Sequence, residues 1–194
     1  MSSDDTAISY LKKINRYLEE SVRCFENLKK KHGQLEKIAD ILKKAKNHGN
    51  RIFLLGNGGS AATASHLAVD LTRIGSLKVI ALTDNVPLIT AWSNDEEYSV
   101  VFKEQLRNLA EKEDVIIGIS VSGKSKNIIE AVKFANKEGC ITVGLTGPNG
   151  GELKNMADIC LTLDTDMQHS EDIHLAIGHI IALLLTTASM DHRD

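Results

Sequence analysis

From residue 51 onward, short apolar runs alternate with longer stretches of helical spacing, and this alternation restricts the fold more than any other feature of the sequence. The runs are "RIFLLG", "KVIALT", "DVIIGIS", "CITVGLTG" and "DICLTL". Most are rich in Val and Ile and lack the strict in-and-out alternation of a half-exposed strand, so they read as strands covered on both faces. Helical patterns fill the intervals at roughly 60–74, 86–111, 125–138 and 168–190. Strand and helix repeated in this order predict an α/β fold, a doubly wound parallel sheet of about five strands. The last helix, "IHLAIGHIIALLLTTA", is apolar nearly all round, which predicts burial inside the chain or between subunits. The final "SMDHRD" has no such pattern and is expected to fray.

Before residue 51 the pattern is purely helical. Apolar residues recur as Leu11, Ile14, Leu18 and Val22, then as Leu35, Ile38, Ile41 and Leu42. His32-Gly33 predicts a break between two helices, and Gly49 stands at the C-cap position of the second. The first helix, if unbroken, is about 40 Å long. A helix of that length wraps its own core or packs on another copy of the chain. The organisation expected is an N-terminal helical hairpin over residues 1–50 and an α/β core over residues 51–194, within the size of one well-cored domain.

With 42% hydrophobic and 25% charged residues, the composition is that of a soluble globular protein. A net charge of -3 gives no general attraction to nucleic acid or to anionic membranes. No basic segment leads into an apolar leader, and no apolar run approaches the roughly 20 residues of a membrane span. Cys24, Cys140 and Cys160 are odd in number and far apart, which predicts unpaired thiols in a reducing cytoplasm.

In an open α/β sheet, ligands bind beyond the carboxyl ends of the strands. Those ends carry Gly56-Asn57-Gly58-Gly59-Ser60, Thr83-Asp84-Asn85, Ser120-Val121-Ser122-Gly123-Lys124-Ser125, and Thr146-Gly147-Pro148-Asn149-Gly150-Gly151. Three serines within six residues, entering a helix, combine hydroxyls with free backbone N–H groups and the positive end of the helix dipole. That is an anion site of phosphomonoester size. Gly118 to Ser125 also satisfies G-x-x-x-x-G-K-S literally, but Gly118 falls inside the strand pattern and no acidic strand end follows to hold magnesium. "GNGGS" does not match the dinucleotide fingerprint G-x-G-x-x-G in its usual register. Nucleotide hydrolysis and glycines that merely pack a tight turn stand as the rival readings of these loops.

His66 and Asp70, four residues apart, share one face of the helix that starts at the first glycine turn. On the last helix the candidates are Glu171, His174 and His179, with the two histidines pointing to different faces. A lone histidine in an apolar run such as that around His179 is more often a satisfied core residue, and a lone Glu171 is an ordinary solvated helix start. A histidine and a carboxylate on each of two helices also suit a zinc-type ion.

"LLGNGGSAATASHLAVDL", "IIGISVSGKSKNIIEAV", "VGLTGPNGGEL" and "EDIHLAIGHIIALL" resemble the sugar isomerase (SIS) domain family, and more narrowly its phosphoheptose isomerases, over nearly the whole chain. The resemblance implies an SIS-type, flavodoxin-like sheet and a homotetramer with clefts between subunits. It implies an aldose–ketose isomerase converting sedoheptulose 7-phosphate to D-glycero-D-manno-heptose 7-phosphate through an enediol. By position, the phosphate loop falls on Ser120, Val121, Ser122 and Ser125, with Ser60 nearby. Sugar contacts fall on Asn57, Gly58, Gly59, Asn94, Asp95 and Glu171. The base falls on Asp70, the acid on His179, and a divalent metal, zinc, on His66, Asp70, Glu171 and His179. The rival that the same resemblance allows is a non-catalytic SIS protein, binding a phosphosugar or a partner such as a replication initiator.

The sequence departs from the family pattern in four places. Asp70 stands where Glu is usual, Glu171 where Gln is usual, and Gln168-His169 where Asp-Arg is usual. "TRIGSLK" replaces a longer Gly-Arg segment. Loss of a methylene at the base retracts its carboxylate by about 1 Å, a misplacement that can cost about 100-fold in rate. Glu171 and His179 lie about 12 Å apart on a straight helix, so one centre can use both only if the helix bends or two copies contribute.

Overall fold

The computed structural model describes residues 3–186, with side chains from residue 9 onward. Strand β1 (Arg51–Gly56) shows why the apolar runs do not alternate. Ile52 and Leu54 enter one core cluster, while Phe53 and Leu55 enter another on the opposite face, so every position is inside. β2 (Lys78–Ala81), β3 (Val115–Ser120), β4 (Ile141–Thr146) and β5 (Ile159–Thr162) complete the sheet in the order β2-β1-β3-β4-β5, all parallel. This is the doubly wound arrangement that the sequence predicts.

One face is covered by α1 (Ser3–Lys29), α2 (His32–His48), α3 (Gly59–Arg73) and α8 (Met167–Leu185). Cys24, Leu28, Leu35, Ile38 and Leu42 of the N-terminal helices share that core with the strands. The other face is covered by α5 (Val101–Leu109), α6 (Lys126–Lys137) and the short α7 (Leu153–Met156), which the sequence pattern does not reveal. α3 and α8 touch closely: a Cβ on Gly178 would lie 2.2 Å from the Leu67 side chain. α8 is not apolar all round in effect, because Met167, His179 and Leu183 remain exposed while Ile173, His174, Ile177 and Ile181 are buried.

Two expectations are adjusted. The turn between α1 and α2 falls at Lys30-Lys31, and His32-Gly33 opens the second helix. The helix expected over 86–111 is interrupted: α4 (Val86–Asp95) ends at the acidic run Asp95-Glu96-Glu97, and a 3-10 turn (Tyr98–Val100) leads into α5. Three adjacent carboxylates repel each other and give that stretch nothing to bury. The predicted end of the last helix and the frayed "SMDHRD" lie outside the described residues. Among the described residues no helix is long and apolar enough to cross a membrane.

The strand order reverses direction between β1 and β3. A doubly wound sheet opens a crevice at that switch point, beyond the strand ends.

Candidate active site

The crevice is where the two most distinctive loops meet. β1 ends in Gly56, and the chain turns through Gly58 at φ +54° into α3, a conformation open to glycine at little cost. The first backbone N–H groups of α3 point out of the helix without intrahelical partners. Beyond β3, Ser120 and Ser125 oxygens lie 3.1 Å apart, and Ser122 Oγ accepts from the Lys124 N–H at 3.2 Å. Ser125 is the residue before the first turn of α6, so hydroxyls and helix N–H groups converge there. The loop after β4 braces this one: Gly147 N–H donates to the Val121 carbonyl and Leu153 N–H to that of Gly123. The two loops are so close that a Cβ on Gly123 (φ +61°) would sit 2.0 Å from the Gly150 carbonyl oxygen.

A cavity of about 150 Å³ lies between the loops, lined by Asn57 and Ser60 on one side and Ser120, Val121, Ser122 and Ser125 on the other. Met167 and Glu171 of α8 close it. It suits a phosphate group, being well below the roughly 300 Å³ of sites for larger ligands. The Glu171 carboxylate hangs over Gly59: a Cβ there would meet it at 2.6 Å, so a larger residue would push the carboxylate aside.

His66, Asp70 and His179 form a second constellation. His66 Nε2 and His179 Nε2 are 2.9 Å apart, and Asp70 Oδ2 lies 3.3 Å from the first and 3.6 Å from the second. One atom from each lies within 4.8 Å of the others, a donor set that suits a divalent ion. Glu171 is not part of it. α8 runs unbroken from Met167 to Leu185, and its eight residues from Glu171 to His179 span about 12 Å. Within one chain the fourth expected ligand therefore belongs to the serine cavity. Asn94 and Asp95 are paired with each other at 2.9 Å on the exposed end of α4 and do not line that cavity.

Two neighbours of the cavity carry no motif. Tyr98 Oη donates to Asn57 Oδ1 at 2.8 Å, and the amides of Asn57 and Asn127 bond reciprocally at 2.9 and 2.8 Å. On α8, His174 is fully buried with no hydrogen bond to either ring nitrogen, and burial pushes its pKa down to about 4. His169, at the usual Arg position, stacks on Tyr17 with ring centres 4.3 Å apart. Its Nδ1 meets Asp166 Oδ1 at 2.8 Å and its Nε2 the Tyr17 carbonyl at 3.2 Å.

The SIS domain model matches residues 16–147. A probable phosphoheptose isomerase from Thermoplasma acidophilum is 42% identical over 179 residues, 88% of this chain and 96% of that protein. The chain belongs to the SIS domain family, among the phosphoheptose isomerases. The phosphoheptose isomerase of Akkermansia muciniphila is 37% identical over 83% of this chain and 88% of its own length. Among solved SIS structures, that of a phosphoheptose isomerase from Neisseria gonorrhoeae superposes with a TM-score of 0.85 at 32% identity, covering 91% of this chain and 98% of that one. One from Francisella tularensis gives 0.86 at 30%, covering 95% and 98%.

Proposed function

We propose that this SIS protein is a phosphosugar aldose–ketose isomerase, interconverting sedoheptulose 7-phosphate and D-glycero-D-manno-heptose 7-phosphate. The observation that carries the assignment is the pairing of a phosphate-sized serine cavity, closed by the start of α3 and by Met167 and Glu171 of α8, with a His–Asp–His cluster farther along those two helices. The named relatives point to the same reaction.

In this reading Ser120, Ser122, Ser125 and the start of α6 hold the phosphate, and the N–H groups at Gly59 and Ser60 face the sugar oxygens. Asp70 removes a proton from the carbon beside the carbonyl. The C–H electron pair becomes the C=C bond, and the carbonyl oxygen takes a proton from His179, giving an enediol. Asp70 then returns its proton to the carbon that bore the carbonyl, while the hydroxyl on the other carbon gives its proton back to His179 and becomes the new carbonyl. A divalent metal, zinc, would be held by His66, Asp70 and His179 and would stabilise the developing oxyanion.

Asp70 lies ten residues along α3 from Ser60, nearly three helical turns and about 15 Å from the serine cavity of its own chain, so it serves substrate held by a second copy. Glu171 reaches a metal centre only in the same way. Self-association is supported by an exposed apolar stripe on α1: Leu11, Ile14, Leu18, Val22 and Phe25, all 46–62% exposed and spaced three or four apart. A homotetramer in the cytoplasm is the assembly and location that fit this reading and the three unpaired cysteines. The retained His66–Asp70–His179 cluster speaks against a purely binding SIS protein.

The test is turnover of sedoheptulose 7-phosphate followed by proton NMR, with Asp70→Asn and His179→Ala. Both variants should be inactive. Undiminished turnover in both removes the acid–base assignment.

A further inference from the structure

The side chain of Asn57 makes three hydrogen bonds within the protein, and one Nδ2 hydrogen is left over at the wall of the serine cavity. Its amide oxygen accepts from Tyr98 Oη at 2.8 Å and from Asn127 Nδ2 at 2.8 Å, which uses both lone pairs. Its Nδ2 donates to Asn127 Oδ1 at 2.9 Å. The orientation of the pair is fixed from outside: Asn127 Oδ1 also accepts from the Ile128 N–H at 3.0 Å, so its oxygen and nitrogen cannot exchange places without opposing two donors. Asn127 is 2% exposed, in the first turn of α6 and two residues beyond Ser125. Tyr98 is 51% exposed, in the turn between α4 and α5. One amide thus ties the turn after β1 to the helix that ends the serine loop, and ties both to the segment that carries Tyr98.

We infer that Tyr98 and Asn127 are positioning residues for the isomerase reaction: through Asn57 they hold the Gly58–Ser60 turn at a fixed distance from the serine loop. The inference rests on the isomerase reading above. A sugar phosphate has its phosphate at one end and its reacting carbons near the other. Binding at the serine loop therefore delivers those carbons correctly only if the turn does not drift. A drift of about 1 Å in such a turn can cost about 100-fold in rate. Neither side chain needs to touch the sugar. Tyr98 acts from the surface, where loss of its hydroxyl removes one hydrogen bond and no core packing.

The test compares Tyr98→Phe, Asn127→Ala and the double variant in the full chain. Tyr98→Phe should raise the KM for sedoheptulose 7-phosphate about fivefold, the value of one hydrogen bond. It should leave the competitive inhibition constant of inorganic phosphate unchanged and the melting temperature within about 1 °C. Asn127→Ala should lower kcat/KM about 100-fold. Because both act through the same amide, adding Tyr98→Phe to Asn127→Ala should cost less than about a further twofold. Unchanged kinetics in Tyr98→Phe overturn the inference, as do effects that multiply fully in the double variant. A parallel weakening of phosphate inhibition in Tyr98→Phe also overturns it, since the serine loop itself would then be disturbed. If Asn127→Ala does not fold, Tyr98→Phe decides alone. A wild-type chain that turns over no sugar phosphate removes the isomerase reading and this inference with it. An active wild type beside an unaltered Tyr98→Phe removes this inference only.

Discussion

α3 and α8 contribute to both the serine crevice and the His–Asp–His cluster, yet the two are built by opposite means. The crevice is made of backbone. Glycines at positive φ, the starts of two helices and two loops in mutual contact fix its shape within one chain. The cluster is made of side chains on helix surfaces: His66 is 48% exposed, His179 52%, and Asp70 18%. One chain lines the crevice on several sides, whereas the cluster brings together three of its four expected groups and faces outward. On the proposed function grip and chemistry are therefore separable, and the chemistry is the half that would depend on a metal or a second copy.

The largest expected effect tests that separation directly. Asp70→Asn and His179→Ala should each lower turnover by about 1,000-fold, within the usual range for general acid–base groups. Both variants should still bind inorganic phosphate with wild-type affinity, read by titration calorimetry. Loss of phosphate binding in either variant would show that grip and chemistry are one unit.

The next effect concerns acid. The fully buried His174 lies on α8, on the core side of the helix that carries Glu171 to the crevice. Burial lowers its pKa to about 4, from 6.5 in the unfolded chain. Above pH 6.5 the ring is neutral in both states and stability is complete. Between pH 6.5 and about 4 the unfolded chain takes up a proton that the folded chain refuses, so stability falls, by an amount on the order of 3 kcal/mol at the lower end. Denaturant unfolding of wild type and His174→Leu across this window should show the slope in the first and a much flatter curve in the second. Equal slopes would assign the acid sensitivity to other groups.

Gly123→Ala comes third. The added methyl meets the Gly150 carbonyl at 2.0 Å, and the backbone is already at φ +61°, so the two loops must part at a cost of about 1–3 kcal/mol. Phosphate binding should weaken by tenfold or more on that estimate, at roughly 1.4 kcal/mol per tenfold. Zinc binding at His66, Asp70 and His179, measured by metal analysis after dialysis, should stay at the wild-type stoichiometry. A variant that loses both would contradict the independence of the two regions.

The same division governs what the sequence reveals. The strands are legible because residues such as Ile52 to Leu55 are buried on alternating faces of a covered sheet, leaving unbroken apolar runs. The serine loop is legible because its residues are contiguous and sit at a strand end. What escapes is tertiary adjacency. Tyr98 and Asn127 are 41 and 70 residues from Asn57, and nothing in their local spacing marks them. The break after Asp95 also escapes, since Val100, Val101 and Phe102 continue an apolar pattern that masks the acidic interruption. Helix rise alone separates Glu171 from His179, yet placing Glu171 over Gly59 in the serine cavity takes the packing of α8 on α3.

The smallest effect lies at His169, five residues before His174 and opposite to it in sign. Burial pulls its pKa down, but hydrogen bonds to Asp166 and to the Tyr17 carbonyl outweigh burial and leave it raised. Both partners are acceptors, so only the doubly protonated ring satisfies both at once. Its contribution is therefore present in full below pH 6.5 and is lost as the pH rises through the folded value. His169→Gln should lower the melting temperature at pH 6 by a few degrees at most, the scale of about one hydrogen bond. At pH 9 the difference should nearly vanish. An equal loss at both values would mean that the ring acts through its stack on Tyr17 and not through its charge. Because α1 carries Tyr17 and also the exposed apolar stripe, the same pair of melting curves, repeated across protein concentration, tells whether this bond also steadies the assembly proposed above, in which a second copy's Asp70 serves the crevice.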